Sequence, residues 1–144
     1  MPHETILRFG YPETLLHDYE HWVVLLRPKQ VTIGSIVLAC KENVERVSDI
    51  SVEAFSEMKT VTTDLETALQ KAFSYDKINY LLLMMVDKHV HFHVLPRYAE
   101  TRQVGGGTFT DTAWPGPPDV TQTLDVTDEQ LGYVGRDLRS HWQK

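Results

Sequence analysis

The 144-residue chain is one domain long, 42% apolar and 24% charged, the balance of an ordinary globular protein that buries its own core. Its net charge of −6 argues against broad wrapping of nucleic acid, which needs a basic stripe to displace counterions, but leaves room for a locally positive pocket. No apolar run approaches the ~18 residues that span a bilayer, MPHETILRFG lacks the basic and apolar regions of an export signal, and one cysteine, Cys40, builds neither a disulfide framework nor a thiolate metal site. A cytoplasmic protein with no membrane partner is the expectation.

In chain order, TILRF (5–9) and TLLHDY (14–19) read as short strands around the turn Gly10-Tyr11-Pro12. HWVVLL (21–26) and SIVLAC (35–40) are continuous apolar runs that read as buried strands, close enough to pair antiparallel through the connection 27–34. Residues 52–74 read as a helix, with Ser51 as N-cap, Glu53 at its positive pole and Lys71 at its negative pole. Val52, Phe55, Met58, Thr62, Leu65, Leu69 and Phe73 trace its apolar face. INYLLLMMV (78–86) has the composition of a central strand covered on both faces, and Asp87-Lys88 turns it into the alternating segment HVHFHVLPRY (89–98). Residues 99–126 hold four of the eight glycines and three of the seven prolines. They read as a long loop, a feature that in a compact domain is usually functional or mobile. Thr127-Asp-Glu-Gln130 is a capping box that opens a last helix over 127–142, with Leu131, Val134, Leu138 and Trp142 as its stripe.

Three of the seven histidines fall within five residues. Side chains two apart on a strand share a face, ~6.5–7 Å from one to the next. His89, His91 and His93 therefore project together, with Val90, Phe92 and Val94 toward the core. Three chemistries suit such a row. A neutral imidazole nitrogen attacks phosphorus near pH 7, because its ordinary pKa of ~6.5 leaves it largely unprotonated, and neighbouring imidazoles hold phosphate oxygens or protonate a leaving group. Imidazoles also bind zinc or copper. The third possibility is a polar sheet face exposed to water.

His89-Val-His91-Phe-His93-Val-Leu95, followed by Pro96-Arg97, resembles the signature of the histidine triad (HIT) family. The resemblance extends over about residues 20–98, through HWVVLLRP, VTIGSIVLACKE, VERVSDIS, KINY and Arg97-Tyr98, and leans toward the branch acting on nucleotides and dinucleoside polyphosphates. It implies an α+β fold with a roughly five-stranded antiparallel sheet and two main helices, a single domain over 1–144 and commonly a homodimer. The implied activity is that of a nucleotide phosphohydrolase or nucleotidyl transferase acting at an α-phosphorus. His91 is the implied nucleophile, giving a nucleotidyl-histidine that water resolves, and His89 and His93 orient it and contact phosphate. A purine nucleotide is the implied substrate, with no cofactor or metal required.

The chain departs from the family pattern at named positions. The usual Gly-containing turn with Gln or Ser before the triad is replaced by Met84-Met85-Val86-Asp87-Lys88, which leaves Lys88 as a candidate cation. The Gly-His pair is Gly34-Ser35, and the residue that usually binds the ribose hydroxyls as Asp or Asn is Arg27. Arg27, Ser35, Asn79 and Lys88 are thus the candidate nucleotide- and phosphate-binding residues. The rival readings are a phosphorylase using orthophosphate, a non-catalytic nucleotide-binding module, and a metal protein built on the imidazoles. His3, His17, His21 and His141 read as surface or local residues, Cys40 as an inert core thiol, and Trp114 as packing.

Overall fold

The structure is a computed structural model that describes residues 2–142; Met1, Gln143 and Lys144 of the expected 1–144 domain lie outside the described residues. Five antiparallel strands form one sheet: β1 (Leu15–Asp18), β2 (Trp22–Leu26), β3 (Ile36–Cys40), β4 (Lys77–Leu81) and β5 (His91–Arg97), in the spatial order β1-β2-β3-β5-β4. α1 (Glu4–Arg8) precedes the sheet, α2 (Val52–Phe73) crosses between β3 and β4, and α3 (Asp128–Ser140) ends the fold. The expected α+β architecture, with two main helices on a five-stranded antiparallel sheet, is the observed one.

The two sheet faces differ in what covers them. Trp22, Val24, Leu26, Ile36, Leu38, Cys40, Val90 and Val94 meet the buried faces of α2 and α3 in the main core. Trp22 is anchored further, its indole N–H donating to the Ala54 carbonyl at 2.8 Å. On the opposite face Val23, Leu25, Val37 and Ala39 form a smaller core with Ile6 of α1, flanked by Phe9, Tyr11 and Leu15. Gly34 (φ +92°) makes the turn into β3 where a Cβ would stand 3.0 Å from the Phe73 ring, so both backbone and packing require glycine.

Four expectations need correction. TILRF is not a strand: His3 caps α1 by accepting from the Ile6 N–H, and the helix buries Thr5 and Ile6. In α2 Ser51 caps as expected, but Val52 is 79% exposed and Phe55 also faces solvent, while Ala54, Val61, Leu65, Ala68, Leu69 and Phe73 are buried; the apolar stripe sits rotated from the one the sequence suggests. β4 stops at Leu81 and is an edge strand, not a central one, and Leu82, Leu83, Met85 and Val86 beyond it are exposed. The loop 99–126 contains a hairpin, β6 (Arg102–Val104) and β7 (Gly107–Phe109), turning at Gly105 and Gly106, both at positive φ, as a two-residue hairpin loop demands. The capping box on α3 is formed as expected.

Candidate active site

Register places the imidazoles. β3 pairs with β5 so that Ala39 faces His91 and Val37 faces His93, and β2 continues the rows with Val23 beside Ala39 and Leu25 beside Val37. The imidazole row therefore stands on the sheet face that carries α1 and the smaller core, with Val94 on the other side, as the alternation predicts.

His89 lies just before β5 and is enclosed. Its Nδ1 accepts from the Thr5 hydroxyl at 3.0 Å and its Nε2 meets Asn43 Oδ1 at 2.5 Å, while the His3 ring stacks on it at 3.9 Å. His3 is held in turn by donating Nε2–H to the Cys40 carbonyl at 2.7 Å. Its pKa is lowered, chiefly by burial and secondarily by His89 and His91. His3, expected from sequence to be a surface or local residue, is thus a structural partner of the row.

The next ring reuses that anchor. His91 donates Nδ1–H to the His89 carbonyl at 2.7 Å, and a neutral imidazole bonded in this way carries its lone pair on Nε2. No described residue bonds His91 Nε2. His93 stands edge-on to His91 with centroids 5.1 Å apart. Its Nδ1 is buried without a hydrogen-bond partner among the described residues. Burial first, then the positive charge of His91 when protonated and of Arg27, push the His93 pKa down to about 4, so this ring is neutral near pH 7.

The Phe9 ring packs on both His91 and His93, at 5.5 and 5.8 Å, and leaves His91 only 1% exposed. Phe9 also lines a pocket of about 190 Å³ with Arg8, Arg27, Pro28 and Lys29. Gln30 braces the turn behind Arg27: its Oε1 accepts from the Gly34 and Ser35 N–H groups and its Nε2 donates to the Arg27 and Ser35 carbonyls. Arg27 is half-buried, its Nε has no hydrogen-bond partner among the described residues, and burial lowers its pKa.

The remaining candidates are placed elsewhere. Ser35 is fully buried and closes its own turn, donating to the Thr32 carbonyl at 2.6 Å and accepting from the Thr32 N–H at 3.0 Å. Asn79 lies at the far end of the face, where its Oδ1 accepts from Arg97 at 2.8 Å. Arg97 also forms a two-pronged ion pair with Asp111, at 2.7 and 3.1 Å, and donates to the Gly116 carbonyl. Asn79 and Arg97 line an open groove of about 470 Å³ with Lys77 and Trp114-Pro115-Gly116-Pro117, so Trp114 is half-exposed there rather than simply packed. Lys88 is exposed and reaches Glu4 of α1 at 3.6 Å. Cys40 is buried, and desolvation pushes its thiol up to about 11, as an inert core thiol requires. Sequence reasoning missed Thr5, Phe9, Gln30 and Asn43. Thr5 and Phe9 come from α1 and its C-terminal end, Gln30 and Asn43 from two loops, and no local motif marks them.

As a metal site the row is poorly disposed. Both His89 nitrogens already face protein groups, and among the described residues no three His, Cys, Asp or Glu side chains converge as a metal would need.

The fold and the row agree with what comparison shows. Histidine triad proteins from Bradyrhizobium japonicum (TM-score 0.76, 17% identity, 99% of this chain and 98% of that one) and Sinorhizobium meliloti (0.75, 17%, 98% and 96%) have this architecture. A third, from Marinobacter aquaeolei, does so at TM-score 0.74 and 21% identity, over 99% of this chain and 95% of that one. No curated protein matches the chain. The HIT domain profile matches residues 9–100, from the aromatic cover of the imidazoles to just beyond β5, and the chain belongs to the HIT family.

Proposed function

We propose that this protein is a HIT-type nucleotide hydrolase or nucleotidyl transferase in which His91 Nε2 is the nucleophile. Members of the family are generally nucleotide-binding hydrolases or transferases, and some are not catalysts. The observation that carries the catalytic reading is the bond from His91 Nδ1–H to the His89 carbonyl at 2.7 Å, with Nε2 left free of protein partners. It fixes the tautomer that puts an electron pair on Nε2.

In the first step the Nε2 pair forms a bond to the α-phosphorus, and the bond from phosphorus to the leaving group breaks with its electrons. A proton goes to the leaving group from the solvent or from its neighbours. In the second step a water oxygen attacks the same phosphorus, the N–P bond breaks back to His91, and the water gives up its proton, releasing the nucleoside monophosphate. His93, neutral near pH 7, offers a nitrogen to the phosphate oxygens. His89, enclosed on both nitrogens, acts through its carbonyl and is a positioning residue. Because Phe9 roofs His91, its ring must swing aside for a phosphate ester to reach Nε2.

Incubation with an α-labelled dinucleoside polyphosphate or nucleoside phosphoramidate tests this. Wild-type protein is expected to trap acid-labile label and turn over, and His91→Asn to lose at least 10³-fold in rate while still binding nucleotide. Undiminished turnover in His91→Asn would remove the nucleophile. Orthophosphate-dependent release of the diphosphate would move the protein to the phosphorylase class.

A homodimer belongs to the same reading. Among the described residues β4 pairs only with β5 at the sheet edge, and Leu82, Leu83, Met85 and Val86 beyond its end expose apolar surface, the combination that invites strand pairing with a second copy. Light scattering at micromolar concentration is expected to give twice the chain mass, and a monomer that Leu83→Glu leaves unchanged would contradict it.

A further inference from the structure

Two buried nitrogens, Arg27 Nε and His93 Nδ1, have no hydrogen-bond partner among the described residues. Buried polar groups are almost always paired, so each such exception calls for an explanation. Phe9 links the two: it lines one pocket with Arg27 and packs on the His93 ring at 5.8 Å. Arg27 is also a half-buried cation with no carboxylate within ion-pairing distance among the described residues; the one hydrogen bond of its guanidinium there runs to the Lys29 carbonyl. Leaving a partly desolvated guanidinium without a counter-ion is unfavourable. The pocket it lines adds Lys29, exposed and unpaired among the described residues, and Arg8, which Asp87 offsets at 2.8 Å. In a chain of net charge −6 this is a local positive pocket.

We propose that the pocket between Phe9, Arg27 and Lys29 binds a second anionic group of the substrate, a phosphate on the sugar of the nucleotide whose α-phosphorus His91 attacks. The inference rests on the nucleotide reading above and names the substrate class within it. A phosphate oxygen there accepts from the Arg27 guanidinium and supplies the counter-ion that this half-buried cation lacks among the described residues. The guanidinium fork suits phosphate geometry. Position also selects the source. Arg27 follows Leu26, which pairs with Ile36 opposite Val94, so Arg27 falls beyond His93, whose ring already stands 5.1 Å from the His91 ring. An anion at Arg27 is therefore set apart from the α-phosphorus at His91 by more than the step between adjacent phosphates of one anhydride chain, and a phosphate on the sugar is the group that reaches it.

The test is calorimetric binding at one fixed ionic strength of adenosine 5′-monophosphate, adenosine 2′,5′- and 3′,5′-bisphosphates, ADP and ATP, to wild type and Arg27→Gln. At least one bisphosphate is expected to bind wild type ten-fold or more tighter than the monophosphate, with that ratio falling to about one in Arg27→Gln. Should Arg27→Gln not fold, Lys29→Gln on the exposed loop is expected to shrink the same ratio. Equal affinity of monophosphate and bisphosphates for wild type, or a gain that survives Arg27→Gln, overturns the proposal. An Arg27-dependent gain confined to ADP and ATP overturns the assignment to the sugar. Pyrophosphate titration followed on the His93 ring nitrogens by NMR separates the two readings. If no nucleotide binds but pyrophosphate moves the His93 signals in wild type and not in Arg27→Gln, the anion site stands and the nucleotide reading falls; if neither binds, both fall.

Discussion

At the His89 end of the imidazole face both ring nitrogens meet partners, Thr5 and Asn43, and His3 closes the stack. At the Arg97 end the guanidinium is shared among Asp111, Asn79 and Gly116. Between them His91 Nε2, His93 Nδ1 and Arg27 Nε find no protein partner among the described residues. The same strand thus runs from saturated to unsaturated to saturated hydrogen bonding. Buried polar groups are almost always paired, so the unsatisfied middle is the part of the face that packing leaves unexplained, and it is where the proposed chemistry is placed.

The largest test of that contrast compares two arginines. Arg97 is 3% exposed and its counter-ion Asp111 is also buried. Asp111→Ala strands the Arg97 charge and removes the acceptor of the Tyr98 N–H, and about 3–5 kcal/mol of stability is expected to be lost. Arg27 is stranded already, so Arg27→Leu is expected to be neutral or stabilising in the same urea titration, as at sites where function is kept at the expense of stability. A loss from Arg27→Leu matching that from Asp111→Ala would make Arg27 a structural group and erase the distinction.

Legibility in the sequence followed the same division. β2, β3 and β5 were readable because apolar composition and strict alternation are local properties, and α3 announced itself through Thr127 and Gln130, whose reciprocal bonds form. The row of histidines was legible for the same reason. The covering of that row was not. TILRF has the β-branched and aromatic composition of a short strand, although Ile6 and Phe9 are three apart, a helical spacing; the His3 cap and the apolar platform of Val23, Leu25, Val37 and Ala39, assembled from distant segments, hold α1 as a helix. Leu82, Leu83, Met85 and Val86 are exposed although their run has the composition of a buried strand, and composition alone does not tell a central position from an edge. Gln30 sends four hydrogen bonds into the turn that presents Arg27, yet a lone glutamine in a loop gives no local sign of that role. Gly105-Gly106 did give a hairpin signal, obscured by the length of the Pro- and Gly-rich stretch around it.

A smaller effect sharpens the contrast from the side of pH. The His93 pKa is about 4 in the folded protein, lowered by burial and then by His91 and Arg27, against ~6.5 for an exposed imidazole. Between those values the unfolded chain binds a proton that the folded chain refuses, so stability rises with pH across this window. The contribution is fully present above about pH 6.5 and is lost as the pH falls toward 4. Its slope is at most about 1.4 kcal/mol per pH unit. His3 is shifted in the same direction, mainly by burial, and Glu42, whose carboxylate is held down by Ser51 and His21 against the opposing effect of burial, also destabilises on acidification, so the wild-type curve alone does not isolate His93. The difference between wild type and His93→Gln does, because glutamine fills similar space and does not titrate. Denaturant titrations from pH 4 to 7 are expected to converge on acidification as wild type loses the larger share, and parallel curves would place His93 among the satisfied groups of the face rather than in its open middle.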